Sequence, residues 1–132
     1  MHLLLIPREG TDLFHTLFAS ETSREVLRFY RPQKSGCGVV IGVISLGAAL
    51  SLASELRWYL RRYVALALLE VEAGRYCTLG YARAIDHREV DPDRPPENRL
   101  SVIVRDGRVR SAGAGDEGVV EVWALPGERI VS

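Results

Sequence analysis

Lysine is almost missing from this chain: Lys34 stands alone, and the other sixteen basic side chains are arginine. That bias fits a GC-rich coding sequence, or arginine chosen for ion-pair networks. A charge excess of either sign is also missing, with 17 basic and 17 acidic residues. A nonspecific nucleic-acid coat needs a basic surplus to neutralise phosphates, so that class is excluded, while a local basic patch is not. Cysteine is scarce. Cys37 and Cys77 form no Cys-x-x-Cys pair, which removes the zinc-ribbon and thioredoxin-like motifs. Both lie in apolar surroundings, as expected of buried free thiols in a reducing, cytoplasmic compartment.

Other familiar signatures are lacking as well. There is no Gly-x-Ser-x-Gly elbow, no Walker phosphate loop and no His-Glu-x-x-His. Gly113-Ala114-Gly115 follows a strand pattern but leads into no helix, so it is not a dinucleotide fingerprint. The histidines are His2, His15 and His87. Only His87 has close acidic neighbours, Asp86 and Glu89, and these read as a solvated strand end, so no metal site is expected. The N-terminal residues are too few and too poor in basic charge for a signal peptide. The twenty residues Ser35 to Ser54 carry no charge and could span a bilayer. Four glycines and four serines dilute them, and a β-branched run gives way to an Ala/Leu-rich one. A buried strand entering a helix accounts for both halves, so no membrane segment is expected.

What is present suits one domain over residues 1–132. Apolar residues make up 47%, enough for a core without disulfides or metal. Residues 2–6 predict a strand stopped by Pro7. Leu13, Phe14, Leu17 and Phe18 recur at helical spacing, with Thr11 or Asp12 as the cap. Thr22-Ser23-Arg24-Glu25 fits a capping box opening a second helical piece that ends before Pro32. Gln33 to Gly38 reads as a loop and residues 39–44 as a strand buried on both faces. A helix over about 47–62 buries Ala49, Leu52, Ala53, Leu56, Leu60 and Tyr63, and exposes Glu55, Arg57 and Arg61. Val64 to Glu72 predicts a central strand. Tyr76 to Ile85 predicts another, with Gly80 as a bulge. Leu100–Arg105 and Arg108–Ala112 flank Asp106-Gly107, a hairpin signal, and Val119–Trp123 is a last strand. The predicted fold class is α+β. A mixed or antiparallel sheet carries two or three helices, in the order β-α-β-α-β and then hairpins.

Few residues stand out for chemistry. Cys37, between two glycines, could be a nucleophile with His15 as its only obvious base, although a packed thiol is the simpler reading. Glu70 and Glu72 share a strand face as paired carboxylates would, or mark where a buried strand emerges into water. Tyr76, Tyr81, Trp58 and Trp123, with Arg75, Arg83 and the basic hairpin, could grip a nucleotide. Core aromatics and a solvated arginine face are the simpler account.

Leu13-Phe14-His15-Thr16, followed by Ser20 to Leu27, resembles the opening of ADP-ribosyltransferase-like proteins, where a strand carrying a histidine leads into a short helix. The order that follows is similar: strand Val39–Ser45, helix Ala48–Tyr59, strand Ala67–Glu72. The run from Glu117 through Val119–Val122 to Pro126–Ile130 looks like that family's closing strand and turn. The resemblance implies NAD as ligand, with His15 holding the nicotinamide ribose and Glu121 stabilising an oxocarbenium-like state. Ser45 stands where members often show a Ser-Thr-Ser run.

Three functional expectations result. The absence of a strong site motif favours a noncatalytic binding or interaction module, with a protein partner or a second copy and no cofactor. An NAD- or nucleotide-handling enzyme would place His15 and Glu121 in one cleft. An RNA-binding domain would use Arg105, Arg108 and Arg110 of the basic hairpin, and its binding would be salt-dependent.

Overall fold

The computed structural model describes residues 1–36, 38–105 and 108–130. Cys37 and the Asp106-Gly107 turn, singled out above, lie outside them. Among the described residues, eight strands form one mixed sheet in the order β2-β3-β1-β4-β5-β8-β6-β7, with five helices, so the class is α+β. The helices number more than the two or three expected, because two predicted elements each divide.

Strand β1 (His2–Pro7) lies between β3 (Gly38–Gly42) and β4 (Val64–Glu72), antiparallel to both. Its alternation sorts its side chains. Leu3 and Leu5 face the helices, while Leu4 and Ile6 join a second core on the far side. No helix among the described residues contributes to that second core. The sheet curls over it, so that Val109 of the edge strand β7 (Arg108–Ser111) shares a cluster with Leu4 and Ile6. Strand β3 is buried as expected, Val39 and Ile41 toward the helices and Val40 half-buried opposite.

Helix α1 (Leu13–Ala19) is capped by Asp12, whose carboxylate accepts from His15 N at 3.3 Å. The capping box expected at Thr22–Glu25 does not form. Helix α2 (Glu21–Leu27) begins one residue after Ser20, whose hydroxyl bonds Tyr59 OH at 2.5 Å instead. Ser23 is fully buried and donates to the Leu17 carbonyl, so its hydroxyl joins the two helices rather than capping one. The loop expected at residues 33–38 contains a short edge strand, β2 (Gln33–Ser35). Its polar residues become a strand only through pairing with β3.

The single helix expected over 47–62 is two. Ser45 accepts from Ala48 N at 3.0 Å and starts α3 (Leu46–Glu55). Leu56 leaves helical geometry, at φ −96° and ψ 7°, while its side chain stays fully buried. Helix α4 (Arg57–Tyr63) then begins and leads directly into β4.

The largest correction concerns residues 76–85. Strand β5 (Arg75–Thr78) stops at Thr78, whose hydroxyl accepts from Tyr81 N at 3.1 Å and caps α5 (Leu79–Asp86). Tyr76, Cys77 and Thr78 favour strand, but that preference ends with them. Tyr81, Ala82 and Ala84 turn inward on α5. Gly80 is not a bulge; it is a point of close approach, since a Cβ there would lie 2.7 Å from Glu128 Oε2. Strand β6 (Arg99–Arg105) pairs with β7 and with β8 (Val120–Trp123). β8 is wedged between β6 and β5 and runs parallel to β5.

Glu70 and Glu72 are not a carboxylate dyad. The register slips between them, Glu70 meets His2 Nδ1 at 2.7 Å, and Glu72 meets Arg75 at 3.1 Å. Burial pushes the Cys77 thiol up to about 12, so it is inert at neutral pH. In the native protein iodoacetamide should leave Cys77 unlabelled, as read by peptide mass spectrometry. The unfolded thiol ionises near 9 and the folded one does not, so the unfolded state is favoured as pH rises from about 9 to about 12. Tyr76 and Tyr81, both raised mainly by burial, act in the same direction.

Candidate anion-binding groove

Where β1 ends at Pro7, the chain turns outward through Arg8 and Gly10. Arg8 N donates to Tyr63 O at 2.8 Å, and the Arg8 guanidinium donates to Arg61 O at 3.0 Å. A cation thus sits on the carbonyl end of α4, where the helix dipole favours one. Two open cavities meet at Arg8 and Ala65. The first, about 780 Å³, reaches from this turn to Lys34 of β2 and Arg108 of β7, so both edges of the curled sheet line it. The second, about 570 Å³, lies between α4, α5 and the start of β4.

The second cavity has an apolar floor, including Leu60, Leu66 and Leu79, and a rim of Arg8, Arg57, Arg61 and Arg83. Arg57 and Arg61 are one helical turn apart on α4 and share a face, and Arg83 reaches in from α5. None of the four is in an ion pair among the described residues. No acidic residue lines this cavity. The first cavity contains Glu9 and Asp12, and Asp12 is 3.7 Å from Lys34. The ion-pair network offered as one reading of the arginine bias does not involve these four side chains among the described residues. Among the described residues arginine pairs only at Arg28–Glu25, Arg75–Glu72 and Arg110–Asp116. Cations gathered on one rim repel one another. An anion bound among them reverses the sign of that energy.

The residues singled out in the sequence are dispersed. His15 is exposed on helix α1, where the family resemblance would have a strand. It borders a third, shallower cavity with Ser20, Trp58, Tyr59 and Tyr63. Glu121 is on β8, with β1, β4 and β5 between it and the β3 strand on which α1 packs. Its carboxylate accepts from Trp123 Nε1 at 2.5 Å. The third cavity takes His15 without Glu121, and neither larger cavity touches either residue. Ser45 caps α3. Of the hairpin arginines, Arg105 is exposed at the end of β6, and Arg110 is held by both oxygens of Asp116, at 3.1 and 3.2 Å. That guanidinium keeps the Asp116 carboxyl below its usual range. Of the three, Arg108 alone lines a cavity, the first one, and not the arginine-rimmed second. No three His, Cys, Asp or Glu side chains converge as a metal site among the described residues, and no helix there is long and apolar enough to cross a membrane.

The groove itself was missed, although one signal for it exists. Between Glu55 and Glu70 the chain has three arginines and no acidic residue. No curated protein and no solved structure matches the chain significantly. Residues 1–104, which include Arg8, Arg57, Arg61 and Arg83, match DUF5804, a family of unknown function, and the chain belongs to that family.

Proposed function

We propose that this domain is a binding module that captures a phosphate-bearing ligand in the groove rimmed by Arg8, Arg57, Arg61 and Arg83. The observation that carries this reading is the convergence, over an apolar floor, of four arginines that lack carboxylate partners among the described residues. Arginine offers a planar fork of donors that matches phosphate oxygens in pairs, which lysine cannot do. The net charge of zero does not oppose this, because an anion responds to the local field of the cleft.

Calorimetric titration with inorganic tripolyphosphate tests the proposal. Arg83→Ala should weaken binding about tenfold, the loss of one charge-assisted contact. Arg94→Ala, in an exposed loop away from the groove, should leave it unchanged. No binding to the parent protein, or equal binding by the Arg83 variant, would refute the reading. NAD and ADP-ribose belong in the same series. Binding of either that depends on His15 and Glu121 would replace this reading with the transferase one.

A further inference from the structure

We infer that the phosphate-bearing ligand is a single-stranded nucleic acid, with Trp58 as the platform for one of its bases; the inference rests on the groove reading above. Trp58 follows Arg57 directly on α4 and is 56% exposed. It lines the third, shallower cavity rather than the groove, but it is three residues from Arg61, so the two side chains are neighbours on the helix surface. The ring is held in place. Tyr59 and Tyr63 meet it edge-on, at centroid distances of 5.0 and 6.1 Å, and the Arg62 guanidinium lies 5.4 Å from its centroid. Arg57 and Arg61 are about 6 Å apart along the helix axis. They can therefore take neighbouring phosphates of an extended strand while Trp58, next to Arg61 on the adjoining face of α4, takes a base.

Charged groove and exposed aromatic together are the two parts that sequence-tolerant single-strand binding requires. A free polyphosphate has no use for the indole. A duplex keeps its bases stacked inside, out of reach of a ring on a helix surface. An acidic membrane would ask for a broad apolar face, whereas the outward residues of α4 are three arginines and one tryptophan.

Fluorescence titration with oligothymidine of about 12 nucleotides tests the inference. The chain has two tryptophans, and Trp123 is only 5% exposed, so quenching reports on Trp58. Quenching is expected, and Trp58→Ala, followed by anisotropy of a labelled oligonucleotide, should weaken binding about tenfold. The same variant should bind tripolyphosphate as the parent does, which also shows that it is folded. Arg57→Ala with Arg61→Ala should lower the slope of log affinity against log salt by about 1.4, near 0.7 per lost phosphate contact. Undiminished oligothymidine binding by Trp58→Ala overturns the inference. So does tighter binding of a blunt duplex, or sedimentation with phosphatidylglycerol vesicles that oligothymidine does not displace. Tripolyphosphate binding without oligothymidine binding sinks this inference and leaves the groove reading standing; failure of both removes both.

Discussion

Replacing Arg57 and Arg61 together with glutamate is expected to weaken tripolyphosphate binding by more than about a hundredfold. Each substitution removes a favourable contact of roughly 1 to 1.5 kcal/mol and puts a repelling charge in its place. Two such changes on one helical face add in the same direction, and about 2.7 kcal/mol already amounts to a hundredfold. Both side chains are exposed and make no ion pair among the described residues. The melting temperature should therefore stay within a few degrees of the parent, since relief of repulsion with Arg8 and Arg83 is offset by placing an anion in the last turn of α4. Calorimetry and thermal melting on the same sample separate the two quantities. A variant that binds as tightly as the parent would show that the anion, if any, sits elsewhere.

Glu128 carries the second large effect, on stability. One of its carboxylate oxygens accepts from Thr78 Oγ1 at 2.7 Å and from Leu125 N at 2.6 Å. Asn98 donates to the Leu125 and Glu128 carbonyls, at 2.7 and 3.0 Å, and fastens the same turn to the start of β6. Glu128→Ala leaves the Thr78 hydroxyl and the Leu125 amide without their acceptor. The cost is about 2 kcal/mol, or roughly 7 °C in melting temperature for a chain of this size. Gly80 makes the test sharper. In the parent, Gly80→Ala pushes its new methyl to 2.7 Å from Oε2 of a carboxylate whose other oxygen is held by two hydrogen bonds, so it destabilises. With Glu128→Ala present the obstacle is gone. Alanine's helix preference then adds about half a kcal/mol or more. The substitution should change sign between the two backgrounds, which a double-mutant cycle by thermal or urea unfolding reads directly. Simple additivity would contradict the geometry.

These two cases show what the chain discloses in its order and what it withholds. β1, α1, β3, β4 and the β6–β7 pair were legible because each carries its own period of apolar residues, and a period is a local property. The boundary at Thr78 was not, because Tyr76-Cys77-Thr78 favours strand while the helix after it depends on a cap and on contact with residue 128, fifty positions away. β2 was invisible for a related reason: Gln33-Lys34-Ser35 has no pattern of its own and takes its conformation from β3. The groove follows the same logic. Arg57 and Arg61 could be placed on one exposed helix face from spacing alone. That Arg8 and Arg83 would join them depends on the turn after β1 and on α5, the element read as strand.

The wedged position of β8 has a consequence for how the molecule is made. Synthesis runs from the N-terminus, so β5 and the β6–β7 pair leave the ribosome before the strand that must come between them. Until Val120–Trp123 emerges, the outer edge of β5 and the inner edge of β6 present backbone donors and acceptors with no neighbour, and the far-side core lacks Val122. The nascent domain is thus held as two unjoined pieces, and the last strand translated completes the sheet like a keystone.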